Sequence, residues 1–407
     1  MNELTKKCIS NFKVVNNNLM INGISLLDIT KKIGTPCYIY SEKIIEERVK
    51  LLRNAFPKDI KLNYSVKANP FIDILSFLEN KINGFDVASE EELLLAISTK
   101  IDKANITLTG PGKTDSLLEK AVLNQIIINV ESVSELNKII LISKFKQIKP
   151  HIILRINPSF PFHNSGMRMS GCTQFGLDEP NLFKAINVIK QNHSEIIFHG
   201  FHIFNGSQNL NQTSLINTYN SSIELMLNLL NTIEFDNCYL GSSLGIPYFE
   251  KDEELDIQFI GSHLDLLIKK LKQKHSKMKL HMELGRYIIG SAGLYVSKII
   301  TKKDNNGHVF LITDGGMNHN LAACGLLGQL IRKNYPIAIG NNIYSEELKK
   351  VTISGPLCTP LDILGKDVIL PIAEEEDLVV VFQSGAYGLT ASPNSFLSHK
   401  VAKEILF

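Results

Sequence analysis

Between residues 60 and 284 short β-rich runs alternate with amphipathic helical patterns, and this rhythm restricts the possible folds more than any single motif. Strand-like runs fall near 60–66, 84–88, 106–110, 126–131, 151–157, 196–204, 237–242 and 278–284. In the first of them Ile60, Leu62, Tyr64 and Val66 alternate, which is the period of a strand. In the helix ahead of it Ser41 supplies a cap, and Ile45, Val49, Leu52 and Phe56 follow at spacings that put them on one face. A second helix start is marked by Ser89 and Glu92, a capping box ahead of Leu93, Leu94 and Leu95. Eight strands alternating with helices over about 250 residues predict an α/β fold, a parallel sheet closed into a (β/α)8 barrel. Periodicity alone leaves a doubly wound open sheet as the alternative.

From about residue 293 the texture changes. SKIITKK and HVFLITD flank a DNNG turn, and VTIS, DVILPIA and DLVVVFQ follow, a pattern of strands and tight turns. We therefore expect a barrel over 36–285 and a β-rich unit formed by 1–35 together with 286–407. A chain of 407 residues is long enough for two such cores.

Charge and cysteine usage exclude several classes of function. The 43 basic and 41 acidic residues nearly cancel, and no basic block is present to neutralise a run of phosphates, so nucleic acid is not an expected partner. The N-terminal MNELTKKCIS has no apolar core of a signal sequence, and apolar stretches such as AVLNQIIINV are too short and too interrupted to span a membrane. Six cysteines occur without a CxxC pair or a spaced Cys/His cluster, which argues against disulfides and a metal site and for a reducing cytoplasm.

In a barrel of this kind the chemistry belongs at the C-terminal ends of the strands, and those ends are polar. The first carries Lys67, the second Asp86, the fifth Arg155 and Asn157, the sixth His202 to Gln208, and the eighth Glu283. A lysine at a strand end is usually just solvated. Lys67, however, lies in NYSVKANP between an apolar strand and a helix start, where a partly desolvated amine is suited to imine formation. Glu283 sits in HMELGRYIIG; a carboxylate against a pyridine nitrogen keeps such a ring protonated and electron-accepting. Arg286 is suited to pair with a phosphate. Gly206-Ser207 and the run from Gly241 to Gly245 follow strands six and seven, near where barrels bind phosphate through backbone N–H groups. His199, His281 and His319 are also expected near the mouth, as hydrogen-bonded neighbours rather than participants.

Taken in order, YSVKANP, FDVAS, GFHIFNGSQ, GSSLGIPY, ELGRYIIGSAG, SGPLCTPLD and GAYG resemble the fold-type III pyridoxal-phosphate decarboxylases, the diaminopimelate and ornithine decarboxylase family with its alanine-racemase-like barrel. The resemblance spans nearly the whole chain. It implies pyridoxal 5'-phosphate as cofactor, a Schiff base on Lys67, Glu283 at the pyridine nitrogen and Asp86 beside Lys67. It further implies that His202, Phe204, Ser207, Gly241, Ser242, Ser243, Gly285, Arg286 and Tyr387 surround the cofactor. Cys358 and Asp362 are implied to reach the site from the second subunit of a homodimer, with Cys358 protonating the α-carbon after carbon dioxide leaves. Arg155 and Thr359 complete the expected substrate contacts.

Three departures from the family pattern matter. Thr359 follows Cys358 where relatives acting on ornithine or diaminopimelate carry an acid for the distal ammonium. Losing such a desolvated charge partner costs a diamine about 3 kcal/mol or more, enough to reverse a preference of about a hundredfold. Phe204 stands where a histidine normally stacks on the cofactor. The usual Gly-Gly-Gly phosphate loop reads Gly241-Ser242-Ser243, and a serine at positive φ is strained. The segments HNSGMRMSG, GGMNHNLAACGLLGQLIRKNYP and GPLCTPLD resemble most the subgroup typified by the butirosin-pathway decarboxylase, whose glutamate is tethered to an acyl carrier protein, and by exosortase-associated relatives. This implies a conjugated amino-acid substrate. The alternatives are a decarboxylase of free diaminopimelate or ornithine with its acid supplied by Glu92 or Asp178, a racemase, and an inert regulatory or binding protein of the same fold.

Overall fold

The computed structural model describes residues 1–159, 167–169, 171–327, 329 and 331–407. Most of the HNSGMRMSG segment and two positions of GGMNHNLAACGLLGQLIRKNYP lie outside the described residues. The chain divides into two compact units, one of Met1–Glu47, Ile246–Glu253 and Arg286–Phe407, the other of Arg48–Gly245 and Glu254–Gly285.

The second unit is the barrel. Its strands are β1 (Ile60–Ser65), β2 (Gly84–Val87), β3 (Ile106–Leu108), β4 (Ile127–Val130), β5 (His151–Ile156), β6 (Ile197–Ile203), β7 (Asn237–Gly241) and β8 (Lys279–Leu284). All pair in parallel with their sequence neighbours, and β8 pairs with β1, so the sheet closes. Closure explains why these strands are buried along nearly their whole length: helices cover the outer face and side chains fill the lumen. The outward residues of β8, Leu280, Met282 and Leu284, are at most 1 % exposed, while His281 and Glu283 alternate with them and occupy the inward positions.

Helix starts follow the local chemistry. Ser41 Oγ accepts the Ile44 N–H ahead of the helix Glu42–Ala55, and Ile45, Val49, Leu52 and Phe56 are all buried. Ser89 Oγ accepts the Glu92 N–H at 3.2 Å, and Glu92 returns its carboxylate to the Ala88 N–H at 2.7 Å. The box therefore closes one residue earlier than its usual form, and Leu94 faces solvent at 48 % exposure.

In the first unit a long strand, Gly293–Asn305, pairs with Cys37–Tyr40, Leu378–Val381 and His308–Thr313. The sheet continues through Leu348–Ser354 and Ile363–Pro371. A three-stranded meander over residues 13–25 carries its own small helices. Residues 36–47 and 246–253 also belong to this unit, because the strand Cys37–Tyr40 takes its hydrogen bonds from Gly293–Asn305 and Lys403–Leu406 rather than from the barrel. Among the described residues no helix is long and apolar enough to cross a membrane.

Candidate active site

Lys67 lies in a single 3-10 turn, Val66–Ala68, directly after β1. The turn is fixed by its surroundings: Tyr64 donates its hydroxyl to the Asn69 carbonyl at 3.0 Å, and a Cβ on Gly285 would come within 2.9 Å of the Ala68 Cβ. The Lys67 amine is thereby held 3.3 Å from Asp86 Oδ2 and 5.5 Å from the centre of the Phe204 ring, a charge pair and a cation–π contact. Asp86 is 1 % exposed and accepts the Thr109 hydroxyl at 2.7 Å. Burial, followed by the nearby charge of Glu283, pushes the Asp86 carboxyl above its usual range against the pull of Lys67.

Glu283 ends the inward row of β8. Its Oε2 is 3.0 Å from His202 Nε2, and the other ring nitrogen of His202 is 2.9 Å from Asn129 Nδ2. An amide N–H at Nδ1 makes that nitrogen the acceptor, so Nε2 carries the proton and donates to Glu283. Burial disfavours the Glu283 charge, but His202, assisted by Lys67 and Arg155, outweighs it and holds the carboxyl below its usual range. Glu283 Oε1 is buried without a hydrogen-bond partner among the described residues. An orphaned, ionised oxygen in a polar lumen fits the protonated nitrogen of a pyridine ring.

Around this pair Phe204 packs so close to Gly241 that a Cβ there would lie 1.7 Å from the ring. The serine-substituted loop does force one residue into the left-handed region: Ser243 has φ of 58°. Its cost is offset locally, since Ser243 Oγ donates to the Gly206 carbonyl at 2.6 Å, its carbonyl accepts the Asn209 N–H at 3.0 Å, and Tyr219 donates its hydroxyl to the Ser242 carbonyl. Gly206-Ser207 and Gly241–Ser243 are thus tied together.

Arg155 is engaged in a buried pair with Glu131 at 3.0 Å, and Glu131 also accepts the Gly110 and Gly176 N–H groups. Glu92 and Asp178 both cap helices, Asp178 by accepting the Asn181 N–H, so neither is held in reserve as a substrate acid. Thr109, Asn129 and Glu131 belong to this polar lumen and its rim, yet sequence reading passed over them.

The expectation that His199 and His281 lie near the mouth is overturned. His199 and His281 are the third residues of β6 and β8, so both lie toward the strand starts, the opposite end of the barrel. His319 belongs to the other unit, with Nε2 on the Lys400 carbonyl at 2.8 Å. Being inward-facing is legible in a strand; depth along it depends on where the strand begins.

In the β-rich unit Arg286 donates Nη1 to the Tyr248 hydroxyl at 2.7 Å, and its guanidinium lies 4.6 Å from the Tyr387 ring centre. Its Nε is buried without a partner among the described residues. Cys358 is exposed. Thr359 Oγ1 accepts the Leu361 N–H at 3.3 Å, and Asp362 accepts the Met317 and Leu357 N–H groups at 2.6 and 2.8 Å. A Cβ on Gly316 or Gly355 would strike the Asp362 carboxylate, so the two glycines and Asp362 together shape the Cys358 loop.

Comparison with known proteins agrees with this chemistry. The family model for the pyridoxal-dependent decarboxylase, pyridoxal binding domain, matches residues 42–290. The chain is 36 % identical to the L-glutamyl-[BtrI acyl-carrier protein] decarboxylase of Niallia circulans over 93 % of this chain and 90 % of that protein. It is 31 % identical to the diaminopimelate decarboxylase of Aquifex aeolicus over 99 % and 94 % of the two chains. Its fold matches the crystal structure of diaminopimelate decarboxylase from M. jannaschii with a TM-score of 0.90, at 24 % identity, covering 98 % of this chain and 93 % of that one. The chain therefore belongs to the fold-type III pyridoxal-phosphate decarboxylases and is a pyridoxal-phosphate-dependent amino-acid decarboxylase.

Proposed function

We propose that the substrate is an amino acid whose distal end is conjugated, with glutamate carried on an acyl carrier protein as the reference case, and that the enzyme works as a homodimer. The observation that carries this reading is the neutral Thr359 directly after Cys358, whose hydroxyl is spent on its own turn. A free diamine would bring a desolvated ammonium to a position without a counter-charge. The likeness to a carrier-protein-linked glutamate decarboxylase supports the same choice.

The bound cofactor supplies a ring that accepts the electron pair released when the α-carboxylate departs as carbon dioxide. Lys67 holds the cofactor through its amine, and Asp86, with its raised affinity for a proton, receives and returns the proton at Lys67 Nζ. Glu283 Oε1 would take the ring nitrogen while His202 fixes Oε2, so the carboxylate keeps both its charge and its orientation. Phe204 would stack on the ring but could donate no proton. By the family resemblance, Ser207, the loop from Gly241 to Ser243, Arg286 and Tyr387 would hold the phosphate. Cys358 of one subunit delivers the proton to the α-carbon in the other subunit's site.

Carbon dioxide release from free glutamate, ornithine, lysine and diaminopimelate, set beside glutamyl-pantetheine and glutamyl-carrier protein, tests the substrate. The conjugates are expected to be turned over best; a free diamino acid with the highest kcat/KM would overturn the reading. Lys67→Ala is expected to abolish the absorbance of the lysine-bound cofactor.

A further inference from the structure

The lumen holds a second polar cavity at the strand starts. Its volume is about 240 Å³, and Lys61, Asn63, Thr107, His199, Lys279 and His281 are in its wall. Ile127 and Tyr239, also in its wall, form a buried apolar cluster with Ile153. These three lie two residues nearer the strand starts than Asn129, Arg155 and Gly241, so an apolar layer lies on that side of the lumen, while on the other side Thr107 of the cavity wall donates to Asp86.

The charges in this cavity are of one sign. Neither Lys61 nor Lys279 has an ion pair among the described residues, and Asn63, 3 % exposed, has no side-chain hydrogen bond among them. His199 stands beside His151, Nε2 to Nδ1 at 2.7 Å, with the rings stacked. His281 stacks on Tyr239 at 4.1 Å between ring centres and places Nε2 3.1 Å from Asn237 Oδ1. The acids within electrostatic reach are already committed: Asp236 pairs with His275 at 2.5 Å, and Glu283 with His202. Burial, then Lys279 and Lys61, pushes His281 down to about 3; burial, then His151, pushes His199 down to about 4. An anion in the cavity relieves both.

We propose that the base of the barrel is a binding site for a small oxyanion of two negative charges, of the sulfate, phosphate or dicarboxylate class, held between Lys61 and Lys279 with Asn63 as a neutral donor. Such a site is separate from the cofactor phosphate site. Because the titratable groups facing it are Lys61 of β1, His199 of β6, Tyr239 of β7, and Lys279 and His281 of β8, with His151 and Asp236 beside His199, binding draws protons onto the histidines. Affinity then rises only as pH falls toward their folded values.

The test is calorimetric titration of the holoenzyme, its own phosphate site filled by cofactor, with sodium sulfate at about pH 6 and about pH 7.5 and with sodium succinate at the higher pH, ionic strength being matched with sodium chloride. One saturable site per chain is expected for sulfate at both pH values. Saturation by only one of the two anions assigns the site to inorganic oxyanions or to dicarboxylates and upholds it. The double variant Lys61→Gln, Lys279→Gln is expected to weaken binding at least about tenfold while keeping the cofactor absorbance that reports an intact fold. No saturable binding of either anion beyond the chloride control, or undiminished binding in the double variant, overturns the proposal.

Discussion

At the residue scale the carboxylate of Glu283 shows how one side chain is made to do two jobs. His202 takes Oε2 in a hydrogen bond that stabilises the charge, and Oε1 is left without a partner in the lumen. Glu283→Gln keeps the shape but removes the charge that favours a protonated ring. We expect kcat to fall by about a hundredfold or more, the scale of removing one preorganised electrostatic contact from a buried site. The check is kcat measured alongside cofactor absorbance, which should persist because Lys67 is untouched. An unchanged kcat with full cofactor loading would mean that Glu283 does not face the ring nitrogen. Lys67, Asp86 and Glu283 were legible in the sequence because each closes a strand in a motif of mixed apolar and reactive residues. Thr109, Asn129 and Glu131 were not, because a threonine, an asparagine or a glutamate at a strand end reads as ordinary surface until the barrel closes around it.

At the element scale the strands and caps follow from short-range chemistry. All eight barrel strands lie where alternation and apolar runs place them, since a strand needs only its own pattern to be recognised. Caps behave in the same way: Ser89 Oγ satisfies the Glu92 N–H at the start of the helix Glu90–Ser98. Ser89→Ala leaves that donor to water and is expected to cost about 1 kcal/mol, read as a lower urea midpoint at unchanged m-value. Depth along a strand is harder to read. His199 lies at a register shift in β6, between Phe198 and Gly200, and such a bulge re-aims the side chains on either side of it.

At the scale of the whole molecule, two properties depend on the assembled fold. The first is acid sensitivity. His281 binds its proton at about 3 and His199 at about 4 in the folded chain, against about 6.5 when unfolded. The unfolded chain therefore takes up more protons as pH falls below that value, so the stability these neutral histidines contribute is complete above pH ~6.5 and is lost as pH falls through their folded values. His281→Gln is expected to flatten the acid side of the stability curve by up to about 1.4 kcal/mol per pH unit, seen in urea midpoints collected across that range. A curve of unchanged slope would show that His281 is not held neutral. The second is assembly. If Cys358 serves the partner's site, neither Lys67→Ala nor Cys358→Ala is active alone, and mixing the two under exchange restores ~one quarter of the wild-type sites, because half of the dimers then carry one intact site. No recovery, with subunit exchange demonstrated, would place Cys358 outside a shared site.

The sequence by itself determined the strand and helix pattern, the barrel and the second β unit, because each of these is written in local periodicity or in ordered motifs. Tertiary structure decided what no local pattern holds. It set which way the carboxylate of Glu283 turns, that Arg155 is committed to Glu131, and that Asp362 shapes the Cys358 loop with two glycines. It also gathered Lys61 of β1, His199 of β6 and Lys279 of β8 into a single cavity at the strand starts. These outcomes rest on distances between residues far apart in the chain, which are fixed only when β8 pairs with β1 and the lumen closes.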